Sequence, residues 1–106
     1  MITGITPRND NIAVMPVINS ANLKIAALAD GKKTRYININ EALAFPDNQL
    51  RDGMADDGLH LTVKAYQLWA DALKPILTQI LGPPAAVDRA PPPTGDPSAQ
   101  KPAKSP

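Results

Sequence analysis

The chain contains no cysteine and a single histidine, His60. The first absence excludes disulfides and thiolate chemistry while leaving the compartment open. The two together argue against a zinc centre, whose ligands come mainly from those residue types, so no metal is expected. Charge of one sign is lacking too: residues 1–82 carry eight Lys or Arg against eight Asp or Glu, interspersed, and the remainder adds three basic and two acidic residues. With no basic stripe to displace counterions, nucleic acid is not expected as a partner. No apolar run approaches the ~20 residues that cross a bilayer, so no membrane span is expected. The N-terminus lacks the basic region and continuous apolar run of a signal peptide, which leaves localisation open for any longer form of the protein.

Proline is plentiful but concentrated. From Gly82 onward the chain reads "GPPAAVDRAPPPTGDPSAQKPAKSP", with eight of the twelve prolines and no aromatic residue. Such a stretch cannot bury enough apolar surface to offset its ordering entropy, so residues 83–106 are expected to form a disordered Pro-rich tail. "APPPTGDP" has the composition of a polyproline II ligand, although a plain flexible tail is the simpler reading. The foldable part is residues 1–82, a size at which one core supplies only a few kcal/mol of net stability.

Within that part, "MITGIT" (1–6) is β-branched and closed by Pro7, which removes a ladder donor, and it predicts a strand. "PRNDNIAVM" reads as a loop. From Pro16, suited to the first helical position, Ile18, Ala21, Ile25, Leu28 and Ala29 recur at helical spacing and predict an amphipathic helix stopped by Asp30-Gly31, with the glycine as cap. "RYINI" (35–39) is a second short strand. A long polar connection follows and delivers His60. Thr62 is placed to cap a last helix with the apolar stripe Tyr66, Trp69, Leu73, Ile76 and Ile80, and Pro75 predicts a kink or a helix in two pieces. Tyr66 and Trp69 read as core. Lys32 and Lys33 read as turn charges near a helix C-terminus, where the dipole favours cations.

Strand, helix, strand, helix implies a right-handed βαβ unit of a parallel sheet. Two parallel strands make a poor sheet, since this architecture is normally covered on both faces. With Met1 opening directly on strand residues, residues 1–82 are expected to be part of a larger α/β domain.

The histidine lies in "DDGLHLT" (56–62), at the end of a loop and just ahead of a helix. In open α/β sheets the loops leaving the carboxyl ends of strands build the active site. An aspartate at i−3 can fold back so that its carboxylate accepts the imidazole Nδ1–H, fixing the tautomer and leaving Nε2 free as a base. Asp57 has that spacing, and Asp56 is one residue further. The same four residues also suit a solvated loop histidine, and the flanks have to decide.

"DGLHLT" followed by "AYQLWADALKPIL" resembles the last block of the SGNH, or GDSL-type, hydrolases, especially the branch similar to platelet-activating-factor acetylhydrolases. "TGITPRN" resembles the strand and loop these enzymes place after their Gly-x-Asn block, and "INSANLKIAALAD" with "RYININEAL" fits the helix and strand that follow. The likeness covers residues 1–82. It implies the C-terminal portion of a flavodoxin-like, three-layer α/β/α fold, with two parallel strands and two helices present. It further implies ester hydrolysis with no cofactor, with Asp57 as orienting acid and His60 as general base of a Ser-His-Asp triad.

The departure from that family matters as much. The Gly-Asp-Ser block with the nucleophile and the Gly-x-Asn oxyanion block are absent. Of the three serines, Ser20 falls in the first predicted helix and Ser98 and Ser105 in the tail, so none sits on a strand-to-helix turn. Asn9 lies beyond Pro-Arg and does not read as the oxyanion asparagine, and Arg8 reads as a solvated loop cation. The isolated chain is therefore expected to lack meaningful esterase turnover, its partners being the missing N-terminal half and, in the complete enzyme, an ester substrate. Two other readings stand beside this one: a non-catalytic remnant, and a small interaction module that pairs its exposed strand edge with another chain.

Overall fold

Ile2 and Thr3, both β-branched, form β1 (Ile2–Thr3), which pairs in parallel with β2 (Tyr36–Ile37) in the register Ile2 to Tyr36 and Thr3 to Ile37. The Ile2 N–H donates to the Arg35 carbonyl at 2.7 Å and the Gly4 N–H to the Ile37 carbonyl at 2.8 Å. The computed structural model describes residues 1–92, 94 and 95. Over these residues the protein is a small mixed α/β chain with two parallel strands and three α-helices, the first preceded by a short 3-10 turn over Ile12–Val14.

Both strands are shorter than the sequence predicts, and Asn22 supplies the reason on the first. Its Oδ1 accepts the Ile5 N–H at 2.7 Å and its Nδ2 donates to the Ile5 carbonyl at 2.9 Å. A side-chain amide thus takes both backbone groups that a longer strand would offer to its neighbour. Asn22 is buried for this purpose on α1 (Met15–Ala26), together with Met15 and Ile18.

α1 opens with Pro16 at its first turn, as expected, but it stops at Ala26, ahead of the predicted Asp30-Gly31 cap. Leu28 and Ala29 donate to the carbonyls of Ile25 and Ala26, so the end of the helix tightens into i to i−3 bonds and leaves Leu28 exposed. Gly31 belongs instead to the next turn, where the Asp30 carboxylate accepts the N–H groups of Lys32 and Thr34 at 2.8 and 3.0 Å.

The connection after β2 is not featureless. It contains α2 (Asn40–Leu43), a helix beyond the two expected, and an isolated antiparallel bridge between Ala44 and Leu50. Asn38 starts α2 by accepting the Asn40 N–H at 2.8 Å, and Leu43, fully buried, anchors it. Leu43 packs with Met54, Leu61 and Ala65, flanked by Ile39 and Leu50.

Ala65 is in the first turn of α3 (Val63–Leu81), which Thr62 caps: its Oγ1 accepts the Ala65 N–H at 3.2 Å. Pro75 lies inside this helix without dividing it. Tyr66 and Trp69 are not core. Tyr66 is 43% exposed and Trp69 half-buried, and their rings meet edge to face with centroids 6.4 Å apart. Among the described residues the buried core reaches α3 only at Ala65, so the rest of the predicted stripe has no core to join.

Residues 83–92, 94 and 95 carry no helix or strand; the rest of the predicted tail, with Ser98 and Ser105, lies outside the described residues. Among the described residues no helix is long and apolar enough to cross a membrane.

Candidate functional site

The loop that carries the aspartate and the histidine is closed on itself before it meets anything else. The Thr62 N–H donates to the Met54 carbonyl at 2.9 Å and the Thr62 hydroxyl to the Gly53 carbonyl at 2.5 Å. Met54 and Leu61, buried at either end, pin the segment to the core beneath. Residues 55–60 are thereby presented at the surface between two fixed points.

Inside this loop the Asp57 carboxylate is used at both oxygens. Oδ1 accepts the backbone N–H groups of Leu59 and His60 at 2.9 and 2.8 Å, and Oδ2 lies 2.7 Å from His60 Nδ1. The two backbone bonds form an aspartate turn that aims the second oxygen at the ring. A carboxylate accepting at Nδ1 places the imidazole proton there and turns Nε2 outward as an acceptor. The His60 side chain is 59% exposed and that of Asp57 21%, so the ring edge remains accessible while the carboxylate is partly screened. The same bonds lower the Asp57 carboxyl to about 2, the His60 ring contributing most and the N–H groups of Leu59 and His60 next.

Gly58 explains how the loop reaches its neighbour. Its φ is +76°, and its carbonyl accepts the N–H groups of Asn9 at 2.6 Å and Asp10 at 3.2 Å, in the loop after β1. Arg8, read from the sequence as a solvated loop cation, pairs with Asp10 at the surface: its Nε lies 2.6 Å from Oδ1, and a second guanidinium nitrogen meets Oδ2. That pairing holds the Asp10 carboxyl below its ordinary range.

The two sequence-predicted site residues are therefore in direct contact. Ser20 is exposed on α1, and among the described residues no hydrogen bond joins it to His60. Among the described residues no cluster of three or more His, Cys, Asp or Glu side chains is suited to hold a metal ion. Three contributors escaped the sequence reading: Gly58, Asn9, and the hydroxyl bond of Thr62 to Gly53. For Gly58 a signal was present, since a glycine directly after two aspartates in a loop marks a backbone with positive φ. No protein-family model matches this chain, nor does any curated protein or solved structure.

Proposed function

We propose that this chain supplies the acid and the base of a serine ester hydrolase of the SGNH type, within an α/β/α domain whose remaining strands and helices come from polypeptide outside this sequence. One observation carries the reading: the Asp57 carboxylate, locked by two backbone N–H groups, holds His60 at Nδ1 at 2.7 Å on a side chain that stays 59% exposed. That is the arrangement a general base needs if a hydroxyl is brought to its free nitrogen. The apolar stripe of α3 adds support, since Tyr66 and Ile80 remain exposed and suit a helix that packs on a larger sheet.

In this chemistry His60 Nε2 takes the proton of a serine hydroxyl as its oxygen attacks the ester carbonyl. The resulting imidazolium, stabilised by Asp57, gives that proton to the departing alkoxide and an acyl-serine remains. Water then attacks the acyl group as His60 takes its proton, and His60 returns that proton to the departing serine oxygen, which releases the carboxylic acid and restores the serine hydroxyl.

The test begins with the native polypeptide, its N-terminal peptide read by mass spectrometry, and proceeds to hydrolysis of p-nitrophenyl acetate. The expected result is an in-frame segment ahead of residue 1 carrying Gly-Asp-Ser and Gly-x-Asn, and turnover that His60→Ala lowers by roughly 10⁶-fold while Lys33→Ala leaves it unchanged. A native polypeptide that begins at Met1 and shows no turnover would sink the enzymatic reading.

A further inference from the structure

We infer that Asn9 is a positioning residue for the Asp57–His60 pair, acting through the peptide bond between Gly58 and Leu59. This rests on reading that pair as the acid and base of the site. The Gly58 carbonyl and the Leu59 N–H are the two ends of one planar peptide unit, so the orientation of one fixes the other. On one end the Asn9 N–H donates to the Gly58 carbonyl at 2.6 Å; on the other the Leu59 N–H donates to Asp57 Oδ1 at 2.9 Å. Rotation of this peptide would break both bonds at once. Whatever holds Asn9 therefore holds the carboxylate, and through Oδ2 it holds the imidazole.

Asn9 is itself held by its side chain. Nδ2 donates to the Asn48 carbonyl at 3.0 Å and Oδ1 accepts the Leu50 N–H at 2.6 Å, so the amide clamps the turn over residues 48–50 with both of its functions. Asn48 has a φ of 70°, which keeps that turn tight, and its own Oδ1 accepts from Asn19 Nδ2 on α1 at 3.1 Å. A line of hydrogen bonds thus runs from α1 through the 48–50 turn and Asn9 to the 58–59 peptide and the carboxylate. Gly58 makes the close approach possible, since a β-carbon there would lie 3.2 Å from the Asn9 carbonyl carbon.

A purely structural asparagine would change stability and leave the state of the imidazole alone. The experiment therefore reads His60 directly, by ¹⁵N NMR of the full native polypeptide labelled at histidine, with His60→Gln assigning the signal. In Asn9→Ala the Nδ1–H tautomer share should fall about twofold or more and its proton should broaden by exchange with water. Arg8→Ala, which removes the Asp10 partner but none of the Asn9 bonds, should leave the His60 signal in place. Where Asn9→Ala does not fold, Asn9→Asp decides: it retains an acceptor for the Leu50 N–H, loses the donor to Asn48, and should shift the tautomer share in the same direction by less. A wild-type His60 spectrum in either folded variant overturns the inference. No esterase assay enters this test, so an inactive polypeptide would defeat the proposed function while leaving the role of Asn9 to be judged on its own result.

Discussion

A β-carbon placed on Gly58 would lie 2.8 Å from the backbone nitrogen of Asp10. The loop after β1 and the loop that carries His60 touch here through backbone alone, at a residue whose φ is +76°.

Gly58→Ala is accordingly expected to be costly twice over. The left-handed backbone costs about 1 kcal/mol for a residue with a β-carbon, and the forced separation from Asp10 weakens the Asn9 and Asp10 bonds to the Gly58 carbonyl. A loss of roughly 2–3 kcal/mol should appear as a lower midpoint in urea denaturation, with the His60 Nδ1–H signal broadened. Gly31→Ala makes the control: its φ is +73° but no atom lies within 4 Å of the added carbon, so it should show the backbone cost and leave His60 untouched.

Thr62 is expected to be more than a helix cap. Its oxygen accepts the Ala65 N–H and its hydroxyl donates to the Gly53 carbonyl, so Thr62→Val removes the cap of α3 and the closure of the loop together. A cap is worth about 1 kcal/mol and a satisfied carbonyl of this kind about 1 kcal/mol more. Thr62→Ser should restore most of the loss. Equal midpoints for the Val and Ser variants would show that the hydroxyl does neither.

The acid limb of stability should carry the mark of Asp57. Its folded carboxyl sits at about 2, chiefly because His60 donates to it, whereas an unfolded aspartate titrates near ~3.9. The folded state therefore binds this proton less readily than the unfolded one. The contribution is fully present above about pH 4 and is lost as pH falls towards about 2. Denaturation midpoints measured from about pH 4 to the acid limit should converge for wild type and Asp57→Asn across that window. The difference between the two proteins is the proper readout, because the Asp10 and Asp30 carboxyls are also lowered.

How much of this was legible in the sequence depends on whether a local signal existed. Thr62 ahead of an apolar stripe, Pro16 at a helix start and an aspartate three residues before His60 are short-range patterns, and the cap, the helix and the carboxylate–imidazole contact follow from them. The end of α1 was misread because Asp30-Gly31 fits a helix stop equally well as the tight turn it forms, in which the aspartate binds forward to Thr34. Tyr66 and Trp69 were misread because periodicity marks a face that seeks burial and says nothing of whether the neighbour that covers it lies within the same stretch of chain. Asn22 and Asn9 act across 17 and about 40 positions, on Ile5 and on the 48–50 turn, and no spacing rule reaches that far.

The sharpest functional prediction concerns Asp57→Asn. An asparagine oxygen can still accept the Leu59 and His60 N–H groups, so the turn should survive, but the amide NH₂ then faces Nδ1 where the carboxylate accepted a proton. The ring is driven to the opposite tautomer, with its proton on Nε2, and the nitrogen that must receive a hydroxyl proton becomes a donor. In the native polypeptide, kcat for p-nitrophenyl acetate should fall by roughly 10⁴-fold with little change in KM, less than the loss in His60→Ala. The double variant should be no worse than the more damaged single one, because the two side chains act as a unit. Additive losses would mean that Asp57 and His60 serve separate purposes and that the contact between them is incidental to the reaction.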